Sequence, residues 1–188
     1  MRAQGKPRTY SRSENRRLFD LAHELFWLNE ATGDLIYRLD RGNKRAGDVA
    51  GYARQFVSGS SGTVNTYVYC VLDGRKELAH RIVWLLKNGS FPPPGLVIDH
   101  INNDSLDNRP NNLRLLSFSE NTANAKLSRR NSSGFRGVSR AGKKWRAAIG
   151  INGRTKYLGV FENILDAANA YNRAAMRVWG QEVYSVYG

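Results

Sequence analysis

Apolar residues recur at helical spacing in LFDLAHELFWL, with Leu18, Leu21, Leu25 and Leu28 on one face. NEATGDLIYRL then reads as a turn into a strand. After the Gly/Ser-rich loop SGSSG at 58–62, TVNTYVYCVLDGRKELAH reads as a hairpin turned by Asp73-Gly74. LAHRIVWLLKNG reads as a helix, with Lys87 in its last turn and Gly89 just past its end. FPPPG is a rigid connector and VIDHI a short strand. DSLDNRPN is a loop, because Asn, Asp and Pro favour turns, and NLRLLS is a second strand. SFSE, Ser117 to Glu120, is a capping box that opens a helix through ENTANAKL. The order is strand, polar loop, strand, helix.

Three further strands follow in GFRGVSR, KKWRAAIGI and RTKYLGVF, with Gly-bearing turns between them. Within the second, Trp145, Ala147 and Ile149 alternate with Lys144, Arg146 and Ala148. One face is apolar and the other basic, as expected of a sheet with a helix on one side and phosphates on the other. ENILDAANAYNRAAMRVWG is that helix: Asn163 can cap it, Asp166 completes a capping pattern and Gly180 ends it. Ala167, Ala168, Ala170, Ala174 and Ala175 allow close approach to the sheet. The expected class is α+β. The expected organisation is a basic arm over 1–17, a first domain over 18–128 and a second over 129–188.

Charge adds a partner to this outline. The 188 residues carry 29 Lys and Arg against 16 Asp and Glu, a formal net charge of +13. With 41% hydrophobic and 11% aromatic residues, the chain is expected to fold. The charge points to a polyanion, most simply nucleic acid, with an anionic membrane surface as the other candidate. No apolar run approaches the roughly 18 residues of a membrane span, and no apolar signal core follows the basic N-terminus. One cysteine, Cys70, excludes an internal disulfide and fits a reducing cytosol. The lone cysteine and scattered histidines exclude a zinc finger. Residues 1–17 hold six basic residues and one acid, which suits a solvated tail or a DNA-contacting arm. From Lys126 to Lys156 there are ten basic residues and no acid.

The candidate chemistry lies in VIDHINNDSLDNRPNN. His100 can accept a proton near neutral pH. Asp99 and the asparagines offer hard oxygen donors, suited to magnesium or manganese and not to zinc. Phosphodiester hydrolysis needs such a pairing: a base for water and a cation for the phosphate. Adjacent strand residues point to opposite faces, so the strand must end or bend at Asp99 and His100 if both serve one phosphate. Otherwise the two groups are unrelated. His23, inside the first helix, is given no role.

Asp99-His100, Asn112 twelve residues on and Asn121 nine further resemble the HNH nuclease motif, in the form found in phage and intron homing endonucleases. That resemblance implies a beta-beta-alpha metal finger with His100 as general base. Asp99 and Asn121 would hold one divalent metal, Mg2+ or Mn2+, and Asn112 would brace the loop and keep the base oriented. LAHRIVWLLKNGSFPPPG resembles the segment leading into the motif, where His80 recurs in a structural, phosphate-contacting or second catalytic role. Asn124 shares a helical face with Asn121 and would approach the metal or hydrogen-bond the loop.

FRGV, WRAAI, YLGVF and AANAYNRAAMRVWG resemble the Apetala-type, or ethylene-response-factor, DNA-binding domain over about fifty residues. There a three-stranded antiparallel sheet packed on one helix enters the major groove. The match carries over Arg136 and Tyr157 as DNA contacts. Ser139, Ala148 and Thr155 stand where that family has arginines, so its target sequence is not carried over. Lys144, Arg146, Arg154 and Lys156 are DNA candidates on charge and strand-face grounds alone.

Together these features imply a phage or mobile-element endonuclease acting on double-stranded DNA as monomer or homodimer. It would work in the bacterial or phage-infected cytoplasm, with no membrane partner, small-molecule cofactor or structural zinc. The competing class is a DNA-binding regulator with a non-catalytic HNH fold. A third is an RNA nuclease or binder, disfavoured by an expected lack of exposed aromatic platforms.

Overall fold

The structure is a computed structural model. It describes residues 8–57, 64–124, 127 and 131–180, without the side chains of 122–124. The chain divides into two compact units, Met1–Leu116 and Ser117–Gly188.

The first unit opens with helix α1 (Arg12–Leu25). Ser11 caps it, its Oγ accepting from the Glu14 N–H while the Glu14 carboxylate accepts from the Ser11 N–H. The helix therefore reaches back into the segment expected to be a free arm. Tyr10 stacks on Phe91 at 4.7 Å and Asn15 accepts from the Phe91 N–H, so residues 10–15 are docked on the core. Residues 1–7 of that expected arm lie outside the described residues.

At its other end α1 stops sooner than the leucine spacing implies. Leu28 is in strand β1 (Phe26–Asn29), which pairs with β2 (Asp34–Tyr37). The apolar run continues across the boundary because Phe26 and Leu35 enter the same core as Leu18 and Ala22. Burial, and not helical period, sets that part of the pattern.

An antiparallel sheet of β3 (Tyr52–Val57), β4 (Val64–Leu72) and β5 (Arg75–Leu78) follows, in the order β3-β4-β5. The β4–β5 turn is Asp73-Gly74 as expected, with φ of 53° and 69°. The expected loop SGSSG lies outside the described residues. Helix α2 (Ala79–Asn88) ends on Gly89 in the left-handed region. Its buried Ile82, Val83 and Leu85 complete the core. Glu77 and Arg81 form a nearly buried ion pair at 2.9 Å. Strand β6 (Leu96–His100) pairs with β7 (Leu113–Ser117), joined by a polar loop and one 3-10 turn over Pro110–Asn112.

The second unit begins with the Ser117–Glu120 capping box, present in both directions, and helix α3 (Phe118–Asn124). Strands β8 (Val138–Ala141), β9 (Lys144–Ile151) and β10 (Arg154–Phe161) form an antiparallel sheet with β9 central. Helix α4 (Ile164–Trp179) packs on it through Ala167, Ala168, Tyr171 and Ala175. The Asn163 side chain caps α4 through the Leu165 N–H, and Gly180 ends it at φ 64°. The expected three-stranded sheet on one helix is present. The division falls before α3, upstream of the boundary expected near residue 128, because the Asn152 N–H donates to Ser119 Oγ and ties α3 to the β9–β10 hairpin.

Candidate active site

His100 ends strand β6 and is buried. Its Nε2 lies 3.1 Å from Asn108 Oδ1. With the amide oxygen accepting, Nε2 carries the proton and Nδ1 is the nitrogen left to accept one. The His80 ring, on α2, meets the His100 ring edge-on at 5.1 Å, and Tyr67 of β4 meets His80 at 6.0 Å. Burial pushes the His80 pKa well below its ordinary value, and the neighbouring His100 and Arg81 push it the same way. His80 is thus a neutral ring wedged behind the candidate base.

Asp99 faces other partners, as strand alternation requires. Its Oδ2 accepts from Arg114 Nε and Nη2, both at 2.9 Å, across the β6–β7 pair. The loop between these strands is fastened by Asn112. Asn112 Oδ1 accepts from the Asn102 N–H at 3.0 Å. Its Nδ2 donates to Asn102 Oδ1 and to the Asp107 carbonyl. The Ile101 N–H closes the loop onto the Asn112 carbonyl. Asp107 accepts from Arg109 and Asn102, which together hold its carboxyl down at about 2, Arg109 contributing most.

The loop is also held from outside. Ser105 Oγ donates to the Thr66 carbonyl of β4 at 2.6 Å. Gly33, in the β1–β2 turn with φ of 80°, lies directly against it: a side chain there would collide with the backbone of Asn108 and Arg109. Asn108 is the partner of His100 that the sequence reading did not name, and His80, read there as structural, phosphate-contacting or catalytic, is buried against the His100 ring. Asn108 had a signal, since it lies in the same polar loop eight residues after His100.

Residues 77–123 match the family described as HNH endonuclease. This stretch is similar to HNH endonuclease domains. Protein 3.8 of Escherichia phage T7 is 36% identical over 77 residues, which are 40% of this chain and 63% of protein 3.8. The chain thus spans less than two thirds of that relative's length. No solved structure matches the chain.

The HNH domain runs from the end of β5 into α3 and contains His80, Asp99, His100, Asn108, Asn112 and Asn121. The structure brings the first five into one unit around β6, β7 and α2. Asn121 is half-buried on α3 in the second unit, and the Asn124 side chain lies outside the described ones. The family uses a divalent cation, so the donors of Asp99 and Asn121 are the ones to test against it. Both supply oxygen only, and among the described residues no three His, Cys, Asp or Glu side chains converge.

In the second unit, strand register sorts the DNA candidates by face. Tyr157 pairs with Ala148 and Thr155 with Gly150, which places them on the exposed face with Lys144 and Arg146. Lys156 pairs with Ile149 and Arg154 with Ile151, on the α4 side. The strand-face ground therefore holds for Lys144 and Arg146, whereas Arg154 and Lys156 alternate with Tyr157 on the edge strand β10. Lys144 is paired with Glu162, and Arg140 stacks over Trp145 at 4.0 Å. Arg136 sits in the turn before β8, half-buried, and burial lowers its pKa. Three of the ten expected cations, Lys126, Arg129 and Arg130, lie outside the described residues.

Among the described residues no helix is long and apolar enough to cross a membrane.

Proposed function

We propose that the protein is a metal-dependent endonuclease of the phage or mobile-element homing type that hydrolyses phosphodiester bonds in double-stranded DNA. The observation that carries this reading is His100, held by Asn108 with Nδ1 as its accepting nitrogen, inside the matched HNH segment. His100 Nδ1 takes a proton from water as that water attacks phosphorus and the P–O bond to the leaving oxygen breaks. Asn112 keeps the loop closed, and Asn108 fixes the tautomer. Asp99 and Asn121 are the oxygen donors that would hold a divalent cation, Mg2+ or Mn2+, and such a cation would supply charge neutralisation at the phosphate and at the leaving oxygen; to reach the phosphate served by His100, Asp99 has to leave Arg114.

The second unit serves as the DNA reader through the exposed face of β8–β10, carrying Lys144, Arg146 and Tyr157. Arg154 and Lys156 flank it from the edge strand, and Arg136 contributes from its turn. A three-stranded sheet with one helix-covered face and cations on its open face and edge strand supports this role, as does its resemblance to the Apetala-type domain.

Supercoiled plasmid incubated with Mg2+ or Mn2+ tests the reading. Wild-type protein cuts it and EDTA stops the cutting. His100→Ala lowers the rate by roughly a hundredfold or more, the range for loss of a general base, while DNA binding survives. Near-wild-type cutting by the variant removes His100 from the role. Binding without cutting in either metal leaves a DNA-binding regulator.

A further inference from the structure

One face of the β3–β4–β5 sheet closes the core through Val68, Cys70 and Leu72. The other is built from aromatic and cationic side chains. Register pairs Tyr52 with Tyr69 and Arg54 with Tyr67, and places Phe56 and Lys76 on that same face. Tyr52 is 44% exposed. Arg54 lies over the Phe56 ring at 5.4 Å and Lys76 over the Tyr52 ring at 5.9 Å. No Asp or Glu occupies this face of the three strands. The rings run without a break toward the candidate base: Tyr52 to Tyr69 at 6.1 Å, Tyr69 to Phe56 at 5.9 Å, and Phe56 to Tyr67 at 6.2 Å. Tyr67 then meets His80, and His80 meets His100. Where no exposed aromatic platform was expected, this face carries one exposed ring, Tyr52, with Phe56, Tyr67 and Tyr69 half-buried beside it. Composition shows how many aromatics a chain has, but only strand alternation shows that these share one solvent face.

We propose that this face binds unpaired nucleobases of the DNA strand delivered to His100, stacking them on Tyr52, Phe56 and the Arg54 guanidinium. Three features select this occupant. Flat rings and a guanidinium plane accept any base by its π-face. The cations, on a strand face that holds no Asp or Glu, match a phosphate backbone. The sheet also packs, through Tyr67 and His80, against the back of the candidate base. A paired duplex keeps its bases stacked on one another, so only strand opening makes them available to these rings. The inference deepens the nuclease reading and rests on it: the enzyme would favour DNA that is locally opened beside the scissile phosphate.

The test uses the full chain in EDTA and two DNA probes of one sequence. One is fully paired; the other has a short unpaired run containing 2-aminopurine. Wild-type protein is expected to bind the opened probe about tenfold more tightly and to quench the 2-aminopurine fluorescence by stacking. Tyr52→Leu combined with Arg54→Ala, both exposed positions, is expected to remove the preference and the quench. Equal wild-type binding to both probes without quenching overturns the proposal, whatever the variant does. Preference and quench that persist in a folded variant overturn it too. Plasmid cleavage in Mg2+ or Mn2+ is read in parallel. Preference without cutting counts against the nuclease reading alone, and cutting without preference counts against the platform alone.

Discussion

His80 is a histidine whose burial favours the neutral form, and that has a consequence for stability. In the unfolded chain it titrates near about 6.5. In the folded chain its pKa is lowered, by burial first and by His100 and Arg81 next. Below about pH 6.5 the unfolded state binds a proton that the folded state does not, so stability is full above that value and falls as the solution is acidified. Urea unfolding of wild type at pH 7 and pH 5 is expected to show this loss, with a limiting slope of about 1.4 kcal/mol per pH unit from this group. His80→Phe should flatten the slope, and an unchanged slope would show that His80 is not its source. Asn108 makes the second residue-scale prediction. Asn108→Ala leaves Nε2–H of His100 unpartnered and frees the tautomer, so cleavage should slow about tenfold with plasmid affinity intact, the cost of one buried hydrogen bond of ~1.4 kcal/mol. Full cleavage by this variant would show that the tautomer is fixed by another group.

Among the elements, α2 does two jobs, since it packs Ile82 and Leu85 into the core and presents His80 to the site. Its first turn has no side-chain cap at Leu78. The Glu77–Arg81 pair secures that end instead, with Tyr10 donating to Glu77 and Arg81 lying over Phe91. Removing one member strands a nearly buried charge, so Glu77→Leu is expected to cost about 3 kcal/mol in chemical denaturation. A loss under 1 kcal/mol would mean that solvent reaches Arg81 easily. The sequence made α2, the Asp73-Gly74 hairpin, β6, β7 and α4 readable, because each has its own period and its own stop signal. Strand β3 escaped, since YARQFV has no clean alternation when most of its positions are exposed. The face of Arg154 and Lys156 escaped for another reason: side-chain direction follows from which residue pairs with Ile149, and a run of cations carries no register. His100, Asp99 and Asn112 were legible as a spaced motif, whereas the rings behind His100 come from β4 and α2 and depend on tertiary packing.

For the whole molecule, the division before Ser117 changes what truncation should do. The motif places the whole site before residue 129, which predicts that a chain ending there still nicks DNA. Yet α3, which carries Asn121, is tied to the β9–β10 hairpin and has only seven residues, too few to persist alone in water. Deleting 130–188 is therefore expected to abolish metal-dependent cutting as well as to weaken binding. The log–log salt slope should fall by about 0.9 per lost phosphate contact. A truncated protein that nicks at the full-length rate would show that α3 stands without the sheet. The same dependence acts from the other direction at Gly33, which approaches the backbone of Asn108 and Arg109 so closely that no side chain fits between them. The polar loop beside His100 is thus cast against a turn formed some seventy residues earlier in the chain. An HNH segment cut out at its family boundaries and spliced into another scaffold would lose that mould, and a recipient scaffold would have to offer an equally bare turn at the same spot to inherit the activity.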